Sequence, residues 1–130
     1  AKYVKFVYGF EIVGSAVDDA NVNAKLNNIN NIIFFKGDLQ NIFRVNLDIE
    51  KIEKPSIVVI DPPRAGMHKK TISDIIAKEP KKIIYISCNP STQARDIKEL
   101  SIYNYKLKKI LPLDMFPHTP HLENIAVIEK

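Results

Sequence analysis

Hydrophobic and polar positions change rhythm repeatedly along the chain. Residues 4–12 (VKFVYGFEI) concentrate β-branched and aromatic side chains and close on an acid, which predicts a buried strand. Over residues 15–26, Ala16, Ala20, Ala24 and Leu26 fall near helical spacing, and the asparagines at 27, 28, 30 and 31 end the helix. Residues 32–35 predict a second short strand closed by Gly37-Asp38, residues 40–46 a short helix, and residues 49–55 a charged connector. The run SIVVI (56–60) is apolar at every position after its serine, as expected of a parallel strand covered by helices on both faces. It leads into Asp61-Pro62-Pro63-Arg64. Residues 70–77 predict a helix, and KIIYIS (82–87) a fourth strand running into Cys88-Asn89-Pro90. Ser91 is the expected N-cap of a helix reaching about Tyr103, and residues 105–113 and 124–129 read as a closing pair of strands. This alternation predicts an α/β fold with a mostly parallel sheet and helices on both faces.

Composition narrows the class. At 130 residues, 45% hydrophobic and 26% charged, the chain suits a single globular domain over residues 1–130 and excludes wholesale disorder. No apolar run approaches the ~20 residues of a membrane helix, and no signal peptide is recognisable. One cysteine excludes an internal disulfide and any multi-cysteine metal site, so no metal is expected and the chain reads as cytoplasmic. Basic residues outnumber acidic ones 19 to 15, which is compatible with a nucleic-acid partner without requiring one. The sequence opens on an apolar run with no initiator methionine, which reads as a piece of a longer protein.

In parallel α/β sheets ligands bind at the carboxyl ends of the strands. Glu11, Asp38, Asp61 and Cys88 all stand at such ends, so the fold is expected to bring them to one rim. Glu11 suits hydrogen bonding to a nucleotide ribose, or is simply a solvated acid. Gly37-Asp38 is foremost a turn signal. In Asp61-Pro62-Pro63-Arg64 two prolines stiffen the loop, which can hold a carboxylate and a guanidinium in place and offer proline rings to a flat base. Cys88 lies between a strand and a helix N-terminus, a setting that favours thiolate, although buried cysteines are commonly inert. A Cys-x5-Arg phosphate loop fails, because six residues separate Cys88 from Arg95 and none is glycine. His118 and His121 with Glu123 make a poor metal site. Glu123, set before an apolar strand, suits a partly desolvated base or an ordinary strand-start acid. The lysine pairs 69–70, 81–82 and 108–109 read as solvated surface.

Three stretches together, Asp61-Pro62-Pro63-Arg64-Ala65-Gly66, Ile86-Ser87-Cys88-Asn89-Pro90 and Phe116-Pro117-His118-Thr119-Pro120-His121-Leu122-Glu123, resemble the RNA uracil-C5 methyltransferase family in the family's order. That family makes 5-methyluridine in tRNA and rRNA with S-adenosylmethionine. The resemblance spans nearly the whole chain and implies a Rossmann-like methyltransferase fold. It implies Cys88 as the nucleophile that adds to uracil C6, and Glu123 as the base that removes the C5 proton. It also implies Glu11, Asp38 and Asp61 as cofactor-binding residues, and Pro62, Arg64 and Asn89 as residues facing the target base. RNA is the implied partner, and Phe116-Pro117-His118-Thr119 looks more like the rRNA branch than the tRNA branch.

The chain departs from the family in lacking the first, central strand and its glycine-rich loop, and any N-terminal RNA-binding part. It is therefore expected to be a C-terminal catalytic fragment, inactive alone. Its strands at 4–12 and 56–60 should then have open edges that pair with the rest of the parent protein, with each other or with a second copy. Two other readings remain open at this point. One is an exocyclic-amine methyltransferase using Asp61-Pro62-Pro63, and the other is a non-catalytic RNA-binding domain.

Overall fold

The computed structural model describes residues 1–37 and 54–130. They belong to two compact units, Ala1–Lys51 and Ile52–Lys130. Asp38 and the helix expected at 40–46 lie outside the described residues.

The first unit contains β1 (Val7–Glu11), α1 (Gly14–Leu26) and β2 (Ile32–Lys36). The strands pair in parallel from Val7↔Ile32 to Glu11↔Lys36. β1 starts later than the apolar run because the preceding residues form a turn. The Asn31 side-chain amide donates to the carbonyls of Ala1, Val4 and Lys5, so the turn's acceptors are used locally. Phe10 stacks on Phe35 with ring centroids 5.4 Å apart, which joins the two strands on one face. The asparagine run ends α1 as expected, with Asn28 taking the left-handed backbone (φ 53°) that asparagine tolerates.

The second unit contains β3 (Ile57–Ile60), α2 (Lys69–Lys78), β4 (Lys82–Ser87), α3 (Pro90–Ser101), β5 (Lys106–Leu113) and β6 (Glu123–Glu129). The strand order is β3-β4-β6-β5. β3 and β4 are parallel, whereas β6 runs antiparallel to both β4 and β5. The sheet is therefore mixed rather than mostly parallel. Nine residues (114–122) join β5 to β6, too few for a crossover, so β6 returns antiparallel. It slots between β4 and β5.

Helices on both faces were expected, but in this unit α2 and α3 cover the same face. Right-handed crossovers that progress in one direction across a sheet place their helices on one side. Ile60, Ile83, Tyr85, Ala126 and Ile128 of the sheet pack there with Ile72 and Ile75 of α2 and Leu100 of α3. The alternate positions of β3 point the other way, and Val59 is 62% exposed. Only one face of the SIVVI strand thus lies in the core. Among the described residues β1 pairs with β2, and β3 pairs with β4. β5 is a true edge strand, exposed throughout and carrying Lys106, Lys108, Lys109 and Pro112, residues that discourage further pairing.

Candidate active site

Asp61 follows β3 directly and Cys88 follows β4 directly. Because Ile60 is paired with Tyr85 in a parallel ladder, both residues emerge at the same end of the sheet. β6 begins at that end too. The last β4–β6 pair is Ser87↔Asn124, so Cys88 and Glu123 each lie one residue beyond that register at this end of the sheet. Both Cys88 and Glu123 are half-buried. Alternation turns Glu123 away from α2 and α3, because its neighbour Asn124 points into the core beneath them. Asp61, Cys88 and Glu123 thus stand at the same end of one sheet.

The turn holding Cys88 is fixed by its neighbours. The Ser87 hydroxyl accepts from the Asn89 amide at 3.0 Å and donates to the Asn89 carbonyl at 3.1 Å, a closed local turn around the thiol. Asn89, not Ser91, is the N-cap of α3, and its side chain accepts from the Ser91 amide at 3.1 Å. Pro90 at the first helical position is pre-set for this start, which moves the cap two residues earlier than expected. The Asn89 side-chain amide donates to the Arg64 carbonyl, as does the Thr92 hydroxyl, each at 3.1 Å. Both polar ends of Asn89 are therefore engaged within the protein, holding the proline loop against α3.

Further along α3, Arg95 donates to the Ala65 carbonyl at 2.9 Å and grips Asp96 through two nitrogens. Asp96, 0% exposed, also accepts from the Met67 amide and the Tyr85 hydroxyl, each at 2.7 Å. Burial, and then this bond to a carboxylate, push the Tyr85 hydroxyl well above the ordinary tyrosine range. Gly66 has φ +81°, and a Cβ there would come 2.6 Å from both Arg95 and Asp96. Only glycine satisfies both the backbone and the space.

The 114–122 segment is closed by Thr119, whose hydroxyl donates to the Phe116 carbonyl at 2.7 Å and accepts from the His121 amide at 3.3 Å. The Arg64 guanidinium reaches across to His121 Nδ1 at 3.0 Å. Arginine only donates, so Nδ1 accepts and the ring proton is on Nε2. Asp61 and Arg64 are exposed and Pro62 is half-buried.

In the other unit, Glu11 ends β1 at its carboxyl end, as expected. Its Oε1 accepts from the Val13 amide at 2.8 Å, which orients the exposed carboxylate. Asp61 and Cys88 therefore share a rim within one unit, Glu11 stands at the equivalent end of the other sheet, and Asp38 lies outside the described residues. The sequence reading missed Tyr85, Gln93, Asp96 and Asn124, which are buried polar groups behind the site. A signal for two of them existed. Gln93, Asp96 and Leu100 share one helical face, and polar residues on a core-facing stripe mark a buried network.

Comparison with known proteins decides the family. The tRNA (uracil-5-)-methyltransferase family model matches residues 1–130. The chain belongs to this family. An RNA methyltransferase of Chlorobaculum tepidum, not characterised further, is 44% identical over 130 residues, covering 100% of this chain and 27% of its own length. A relative from Porphyromonas gingivalis is 46% identical over 125 residues, covering 95% of this chain and 27% of its own length. Among solved structures, the tRNA (uracil-54, C5)-methyltransferase of Pyrococcus abyssi, in complex with S-adenosyl-L-homocysteine, overlays with a TM-score of 0.77 at 34% identity. The match covers 95% of this chain and 28% of that one. An rRNA methylase of Streptococcus thermophilus overlays with a TM-score of 0.68 at 14% identity, over 97% of this chain and 74% of that one, and shares the fold alone. The fold is that of the S-adenosylmethionine-dependent methyltransferases. The chain spans about 27% of the length of these first relatives. No helix among the described residues is long and apolar enough to cross a membrane.

Proposed function

We propose that this chain carries the nucleophile and base of an enzyme that methylates C5 of a uridine in RNA. The observation that supports the reading is that Cys88 and Glu123 each lie one residue beyond the last β4–β6 pair, Ser87↔Asn124, at the sheet end where Asp61 follows β3. S-adenosylmethionine, when bound, supplies a methyl group on a sulfonium that a carbon nucleophile can attack. Glu11 fits its ribose hydroxyls, since the Val13 amide orients its exposed carboxylate. Asp61 would sit where cofactor and base meet, and Asp38 near the adenine.

Uracil C5 is too electron-poor to attack unaided. The Cys88 thiolate bonds to C6, and the C5–C6 π electrons make C5 enolate-like, so that C5 takes the methyl group. Glu123 then takes the C5 proton, the C5–C6 double bond re-forms, and the C6–S bond breaks to return the thiolate. Pro62 and Arg64 would receive the base, turned out of any stack, while Asn89 holds their loop. Phe116-Pro117-His118-Thr119 supports rRNA over tRNA as the substrate.

The test uses the full-length protein, cofactor and 5-fluorouridine-containing rRNA and tRNA transcripts. Fluorine cannot leave as a proton does, so a covalent protein–RNA complex should accumulate and should vanish in Cys88→Ala. Its absence from the unmodified enzyme on an RNA that it methylates would sink the covalent mechanism. Near-full activity in Cys88→Ser would instead favour methylation of an exocyclic amine. The transcript that traps the enzyme decides between the two RNA classes.

A further inference from the structure

Behind Cys88 and Glu123, on the helix-covered face of the sheet, lies a pair of buried amides. Gln93 is 1% exposed and Asn124 6%. Gln93 Nε2 donates to the Tyr85 carbonyl of β4 at 2.9 Å and to the Asn124 carbonyl of β6 at 3.2 Å. Asn124 Nδ2 returns a bond to Gln93 Oε1. One helical side chain thus fastens together α3, which starts just after Cys88, the strand that ends just before Cys88, and the strand that begins with Glu123. The donors fix both amide orientations, and among the described residues Asn124 Oδ1 is buried without a partner. A core selected for stability alone would place apolar side chains here, because an unsatisfied buried acceptor is a net cost. What the pair supplies is a defined position of β6 against β4 and α3 at their site end.

We infer that the Gln93–Asn124 pair is a positioning device that holds Glu123 against Cys88, and that it serves removal of the C5 proton rather than thiol addition. The inference rests on the proposed C5 chemistry. Thiol addition needs Cys88, whose turn is independently closed by Ser87 and Asn89. Proton removal needs the carboxylate of β6 at a set distance from a carbon already bonded to Cys88. Misplacement by about 1 Å is enough to cost on the order of a hundredfold.

The experiment compares Asn124→Ala and Gln93→Met with the unmodified full-length enzyme, and the methionine keeps the volume while removing the bonds. Melting temperature checks folding. Two rates are measured: trapping on 5-fluorouridine RNA, and turnover on ordinary RNA, with denaturing gels to detect retained RNA. The expected result is near-normal trapping, turnover reduced ten- to a hundredfold, and a methylated covalent complex accumulating on ordinary RNA. A purely structural role lowers trapping and turnover together, with no retained complex, and that result overturns the inference. Unchanged turnover overturns it as well. Should the unmodified enzyme fail to trap 5-fluorouridine RNA, the C5 reading itself falls and takes the inference with it.

Discussion

Replacing Asp96 by Asn tests how the proline loop is held. The carboxylate receives four donors: the Met67 amide and Tyr85 hydroxyl on Oδ2, and two Arg95 nitrogens on Oδ1. Asparagine keeps one oxygen and turns the other into a donor. If the amide faces Arg95, donors oppose donors. If it faces Met67, that amide is stranded in the core, while the Tyr85 hydroxyl can rotate to accept. Either way one charge-assisted site is lost and one buried donor goes unpaired, for a total of about 3–5 kcal/mol. Tyr85→Phe removes a single donor from a carboxylate that keeps three, at about 1–2 kcal/mol. Urea titration of the three proteins, read as midpoint times slope, measures both losses. Equal losses for the two variants, or less than ~1.5 kcal/mol for Asp96→Asn, would refute the view that Asp96 is the anchor of the loop.

Gly66→Ala should lose at least ~2 kcal/mol in the same titration, since a positive φ alone costs about 1–3 kcal/mol and the new Cβ meets Asp96 and Arg95. Hydrogen bonding to Lys130, and then to Lys54, lowers the Glu79 carboxyl from 4.5 to about 2. A depressed carboxylate stabilises fully above its unfolded value, and that contribution is lost as pH falls from 4.5 through about 2. Glu79→Gln should therefore flatten the stability curve in that window and leave it unchanged in slope near neutrality. Arg64→Ala removes an exposed guanidinium bonded only to His121 among the contacts of its side chain described above. It should shift stability by no more than ~0.5 kcal/mol while raising KM for RNA in the full-length enzyme.

Strand and helix order was legible because apolar runs and turn residues are local signals, and β4 was readable to the residue. Sheet order was less so. Nothing in residues 105–129 announces that β6 enters between β4 and β5, a choice made by tertiary packing. The SIVVI run located β3, but apolar character at successive positions does not say which of them packs under α2 and α3. The placing of Asp61 and Cys88 at one end of the sheet was legible from their positions just after strands. Asp96 and Gln93 were not, because a buried polar residue looks like any exposed helical residue until its partners Tyr85, Met67 and Asn124 are known. Asn89 was expected among the residues facing the base, and the sequence did not show that its side chain also caps α3 and donates to the Arg64 carbonyl.

The bond from the Met67 amide to Asp96 gives a loop residue the environment of the core. Surface loops ordinarily exchange their amide hydrogens through small local openings. This amide cannot open without undoing Asp96, Arg95 and Tyr85 together. Its exchange with deuterium should be as slow as that of central β4 amides and should share their denaturant dependence. The loop that carries Asp61 then has no softer mode of its own at this anchor, and its position is set when the sheet forms.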